Sequence, residues 1–109
     1  DQGVWISFRT TTADAGTVHA ASNLSAHFNV DPELKLPNNQ IIVTASAGLT
    51  VTETANNYVA AINAKAPLTG VIASVDSNNK ITLTNTNDKS TASHNIKFIV
   101  DSGGGIRTK

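Results

Sequence analysis

The chain has no cysteine and no methionine, which excludes a disulfide framework, a thiolate nucleophile and a zinc site of the Cys type. Charge is scarce: 15% of residues are Asp, Glu, Lys or Arg, the formal net charge is zero, and no run of Lys or Arg exists. Nucleic acid and anionic membrane surfaces are therefore not expected partners, because both are recognised through a basic footprint. No apolar stretch is long enough to span a bilayer as a helix, and no charged-then-apolar start resembles a signal peptide. Aromatics make up only 5% of the chain. The 109 residues suit one domain with one core. A start at Asp1 without an initiator Met suggests a piece of something longer.

What is present centres on Gln40 to Thr86. Gln40-Ile41-Ile42-Val43-Thr44 reads as a strand, followed by a helix from Val51 to Lys65. Thr50 and Glu53 fit a capping box, the hydroxyl accepting from a first-turn amide while the carboxylate reaches back. Ala55, Tyr58, Val59, Ile62 and Ala66 form one apolar stripe. Pro67 stops the helix and Gly70 turns the chain. Two alternating segments follow, Val71 to Val75 and Lys80 to Thr84, joined by Asp76-Ser77-Asn78-Asn79 as a tight hairpin.

The run Tyr58-Val59-Ala60-Ala61-Ile62-Asn63-Ala64-Lys65, then Gly70-Val71-Ile72-Ala73-Ser74-Val75-Asp76, then Lys80-Ile81-Thr82-Leu83-Thr84-Asn85, resembles the "IN" motif of flagellins and flagellar hook-associated proteins. In that motif a helix ends in Ile-Asn, here Ile62-Asn63, and leads through a Gly-Val-x-Ala-Ser/Thr strand into a hairpin. The resemblance implies a structural role in the surface domains of bacterial filaments, or in phage tail proteins, and brings no catalytic residues. The chain departs from flagellins in lacking long heptad-patterned terminal helices, so polymerisation is expected to reside elsewhere.

In the N-terminal part, Gly3 to Thr10 reads as a strand in which Trp5 faces opposite to Val4 and Ile6. Asp14 is expected to cap a helix running to about Asn29, with Val18, Ala21, Leu24 and Phe28 as its stripe. Glu33 to Leu36 suggests a short strand that turns through Pro37-Asn38-Asn39 into the strand at Gln40. The order strand, helix, strand then occurs twice, a spacing that hints at a degenerate repeat, although the residue identities do not support one. Thr86 to Ser93 reads as a polar loop and Asn95 to Val100 as the last strand. The expected core is Trp5, Ile6, Phe8, Leu24, Phe28, Ile42, Tyr58, Val59, Ile62, Val71, Val75, Leu83, Ile96 and Phe98.

Candidate chemistry is sparse. His19 and His27 would lie two turns apart on the predicted helix, too far to share a metal. His94 with Asp88, Ser90 and Ser93 could be written as a Ser/His/Asp set, but no nucleophile elbow accompanies it. Asp14, Asp31, Glu33, Glu53, Asp76, Asp88 and Asp101 are scattered among caps and turns instead of being paired for glycoside hydrolysis. Gly103-Gly104-Gly105 lacks the Lys-Ser/Thr and helix of a phosphate cradle. The sequon Asn23-Leu24-Ser25 matters only in a source that glycosylates.

These readings combine into an α+β module over residues 1–101, a mixed, mainly antiparallel sheet with two helices packed on one face, followed by a Gly-rich linker or tail at 102–109. The expectation is a non-enzymatic structural module of an extracellular filament or virion tail, with no catalytic, cofactor-binding or metal-ligating set. Its partners would be other subunits or domains of the same assembly. The alternative is an adhesin or receptor-binding module for surface glycans, which an exposed Trp5 or Tyr58 in a shallow groove would favour.

Overall fold

Strand alternation governs more of this chain than helical periodicity does. The computed structural model describes residues 3–7, 11–30, 40–86, 95–103 and 106. In chain order the elements are β1 (Gly3–Ile6), β2 (Thr12–Thr17), β3 (Leu24–Val30), β4 (Gln40–Ala45), α1 (Val51–Ala64), α2 (Ala66–Thr69), β5 (Val71–Val75), β6 (Lys80–Asn85) and β7 (Ile96–Gly103). The fold is α+β. Its strands form two antiparallel sheets, ordered β1-β7-β3-β4 and β2-β6-β5, in place of the single mixed sheet expected.

The helix expected from Asp14 to Asn29 is absent. Leu24, Ala26, Phe28 and Val30 are buried while Ser25, His27 and Asn29 alternate with them, a period of two that only a strand satisfies. Leu24 and Phe28 fit both templates, and the small Ala26 hid the alternation. Asp14 caps no helix; its Oδ1 accepts from the Gly16 amide (2.8 Å) within β2. There the register with β6 shifts between Asp14 and Gly16, and Gly16 has φ 110°, a conformation that disfavours a side chain. With this helix gone, the repeat of strand, helix and strand disappears too.

α1 follows the sequence closely. The Glu53 amide donates to Thr50 Oγ1 (3.0 Å), while the Glu53 carboxylate accepts from the Leu49 amide (2.8 Å), one residue further back than a standard capping box. Buried Thr54 is satisfied twice, its hydroxyl donating to the Thr50 carbonyl and accepting from the Gly48 amide. Ala55, Tyr58 and Ile62 are buried, and Val59 packs half-buried beside them. The helix breaks at Lys65, and Pro67 occupies the first turn of the short α2, where a missing amide proton costs little. Gly70 then closes it in the left-handed conformation, φ 74°.

Inner-face residues of both sheets and of α1 share one core, in which Phe28 and Phe98 lie at a centroid separation of 5.0 Å. On one side β1 lies against β2; on the other α1 lies against both β5 and β4. β7 runs through Ser102 and Gly103, which pair with Ser25 and Leu24, and Ile106 is buried, so residues assigned to the linker contribute to the sheet and core. Trp5 and Ile42, both expected in the core, are 57% and 55% exposed on the outer face of the larger sheet. Val75 is half-buried against the core. Phe8, the strand expected at Glu33–Leu36 and its turn lie outside the described residues, as does all but Thr86 of the loop expected from Thr86 to Ser93.

These positions set the expected cost of truncation. Ile62→Ala should destabilise by ~2–5 kcal/mol, and Ile42→Ala by no more than ~0.5 kcal/mol, in urea unfolding.

Candidate functional site

Among the described residues the most specific constellation joins α1 to β5. Ile62 sends its side chain into the core, and its neighbour Asn63 turns to the strand edge. The Ala73 amide donates to Asn63 Oδ1 (2.7 Å), and Asn63 Nδ2 donates to the Ala73 carbonyl (3.2 Å). One side-chain amide thus pairs both backbone groups of a strand residue, as a neighbouring strand would. Two residues earlier, the Val71 amide donates to Thr69 Oγ1 (3.0 Å). The helix and the turn together engage Val71 and Ala73 on the side of β5 that faces away from β6.

The hairpin beyond is held by Asp76, whose Oδ1 accepts from the amides of Asn78 (2.8 Å) and Lys80 (3.0 Å). Those bonds, that from Lys80 first, hold its carboxyl below the ordinary carboxylate range. Asn79 takes φ 65°, which Asn tolerates. From the middle of α1, the Tyr58 hydroxyl donates to the Ser22 carbonyl and ties the helix to the segment between β2 and β3. Burial raises the Tyr58 phenol above its usual value, and the Ser22 side chain pulls it partly back.

The described histidines and carboxylates do not converge on one site. His19 is exposed between β2 and β3, while His27 on β3 meets Asp101 on β7, Nδ1 to Oδ2 2.9 Å. Asp14 lies 3.9 Å from Lys80, and Glu53 is engaged at the helix start. Among the described residues no group of three or more His, Cys, Asp or Glu could hold a metal. Asp31, Glu33, Asp88, Ser90, Ser93 and His94 lie outside the described residues, as do Gly104 and Gly105. Asn23 of the sequon precedes β3, its Oδ1 accepting from the Ala47 amide (2.9 Å). It borders an open, polar hollow of about 380 Å³ with Leu24, Thr44, Ala45 and Ser46.

The outer face of the larger sheet carries the exposed aromatic. Trp5 pairs with Lys97, whose ammonium stands 5.4 Å from the indole centroid, and the same row continues to Asn29 and Gln40. Gln40 Nε2 donates to Asn29 Oδ1 (3.2 Å). Tyr58, the other candidate for sugar stacking, is fully buried. Sequence reasoning missed the Asn63 contact, although the Ile-Asn pair just before the helix stop was visible. It also missed His27–Asp101, whose partners are far apart in sequence. Among the described residues no helix is long and apolar enough to cross a membrane.

Asn63→Ala should cost ~1–3 kcal/mol by leaving the Ala73 groups without their partner, and Asn63→Asp, which keeps the acceptor but loses the donor, should recover part of it. Because the folded state holds the Tyr58 proton more tightly, its stabilising contribution is complete below the ordinary value of 10.0 and is lost as pH rises through the higher folded value. Thermal melts should therefore fall more steeply above pH 10 in the native chain than in Tyr58→Phe. Comparisons with protein-family models, with curated proteins and with solved structures return no match.

Proposed function

We propose that this chain is a non-enzymatic structural module displayed on a larger extracellular assembly, a bacterial surface filament of the flagellar or hook-associated kind or a phage tail. The observation that carries the reading is the Asn63 contact with Ala73, which gives the Ile62-Asn63 and Gly70-Val71-Ile72-Ala73 segments of the IN-like run a joint mechanical role. Ile62 anchors the helix while Asn63 locks it to the strand, so the spacing between the two segments is what the contact requires. The described carboxylates add support: Asp14, Glu53, Asp76 and Asp101 serve a bulge, a cap, a turn and a cross-strand pair. Such a module presents its outer sheet faces to its surroundings while other segments of the assembly carry polymerisation.

A second reading, recognition of surface glycans, is favoured by one observation. Trp5 is exposed on the outer sheet face with Asn29 and Gln40 amides in the same row, and sugars stack on aromatic faces while amides take their hydroxyls.

Antibodies raised against the folded chain should decorate the length of a filament or a virion tail in immunogold micrographs of the source. Labelling confined to the cell interior would contradict the structural reading. On a glycan array, binding that disappears in Trp5→Ala would move the second reading ahead of the first.

A further inference from the structure

Four strands form the sheet edges, β1 and β4 in the larger sheet and β2 and β5 in the smaller, and three of them carry features that discourage another strand from adding. The outward groups of Val71 and Ala73 on β5 are taken by Thr69 and Asn63. β2 is bent by its bulge and bears Asp14 beside Lys80. β1 is only four residues long and lies against β2.

β4 has none of these. It is six residues long and keeps an unbroken register with β3. Its sequence, Gln40-Ile41-Ile42-Val43-Thr44-Ala45, has no charge, proline or glycine. Among the described residues its only ladder is with β3, and Ile42 at its centre is 55% exposed. α1 lies against β4 while being bonded laterally to β5, so the helix belongs to the other layer.

We propose that β4 is a docking edge for β4 of a second copy of this chain, paired antiparallel about a two-fold axis at Ile42. The strand is complementary to itself in this register. Ile42 falls opposite Ile42, Ile41 opposite Val43, and Gln40 opposite Thr44, so apolar meets apolar and polar meets polar on each face. The strand carries no charge and the chain none on balance, which leaves no like-charge repulsion to oppose the approach. The operation joins two four-stranded sheets into one through the β4 edge of each copy and leaves only the short β1 edges at its ends, giving a closed dimer instead of an open fibre. An edge contact of this size belongs with weak associations. Copies displayed side by side reach millimolar local concentrations, at which such a contact is occupied.

Sedimentation equilibrium on the isolated chain, from ~10 μM to ~1 mM, reads the association directly. The proposal expects a monomer–dimer equilibrium that stops at the dimer. Ile42→Lys should remain monomeric across that range with an unchanged melting temperature, because the side chain it replaces lies outside the core. Ile72→Lys, which places the same charge on the capped β5 edge, should dimerise like the native chain. A native chain that stays monomeric throughout, or an Ile42→Lys chain that still dimerises, overturns the proposal. The measurement uses the chain alone, so its result is independent of whether the parent object is a filament.

Discussion

A strand at the margin of a sheet presents a row of backbone groups that must pair with something, and this fold depends on how that row is filled at β5. The usual solution is another strand. Here it is the side chain of Asn63, which reproduces the donor and acceptor of a strand residue from the last turns of a helix. The consequence is architectural: α1 takes the place that a fourth strand would occupy beside β5, and its apolar stripe then lies against β4 and closes the core between the layers. Ile62 and Asn63, adjacent in sequence, thus do complementary work, one through burial and the other through hydrogen bonding.

The central unit was legible because its signals are local. The helix cap is set by Thr50 and Glu53, the stop by Pro67 and Gly70, and the hairpin by Asp76 and Asn79, all within a few residues of what they act on. Val71, Ile81 and Leu83 are buried as alternation requires. The segment from Asp14 to Asn29 was not legible for the opposite reason. Leu24 and Phe28 satisfy a helical spacing as well as a strand spacing, and the choice between them is made by β4 and β7, which flank β3 on both sides. Tertiary pairing overrides a local pattern that was ambiguous.

Trp5 and Ile42 show a second limit. Hydrophobicity alone places both inside, yet each is out of phase with buried neighbours, Trp5 with Val4 and Ile6, and Ile42 with Ile41 and Val43. The alternation was present in the sequence and, for Trp5, its opposed direction was evident. The number of sheets was not, and it decides whether the second face is covered. With two sheets packed through one shared core, the outer face of the larger sheet is left to solvent, and these two side chains with it. The cross-strand pair of His27 and Asp101 was invisible for the same reason, since it depends on strand order.

Amide hydrogen exchange at single-residue resolution tests the Asn63 contact most directly. The Ala73 amide points away from β6, where an ordinary edge amide exchanges through local fraying. If Asn63 fills the edge as described, Ala73 should be protected to the same degree as Ile72 and Ser74, its neighbours along β5. Exchange at Ala73 as fast as at the exposed turn residue Ser77 would show that the helix does not hold the strand edge, and would contradict the account.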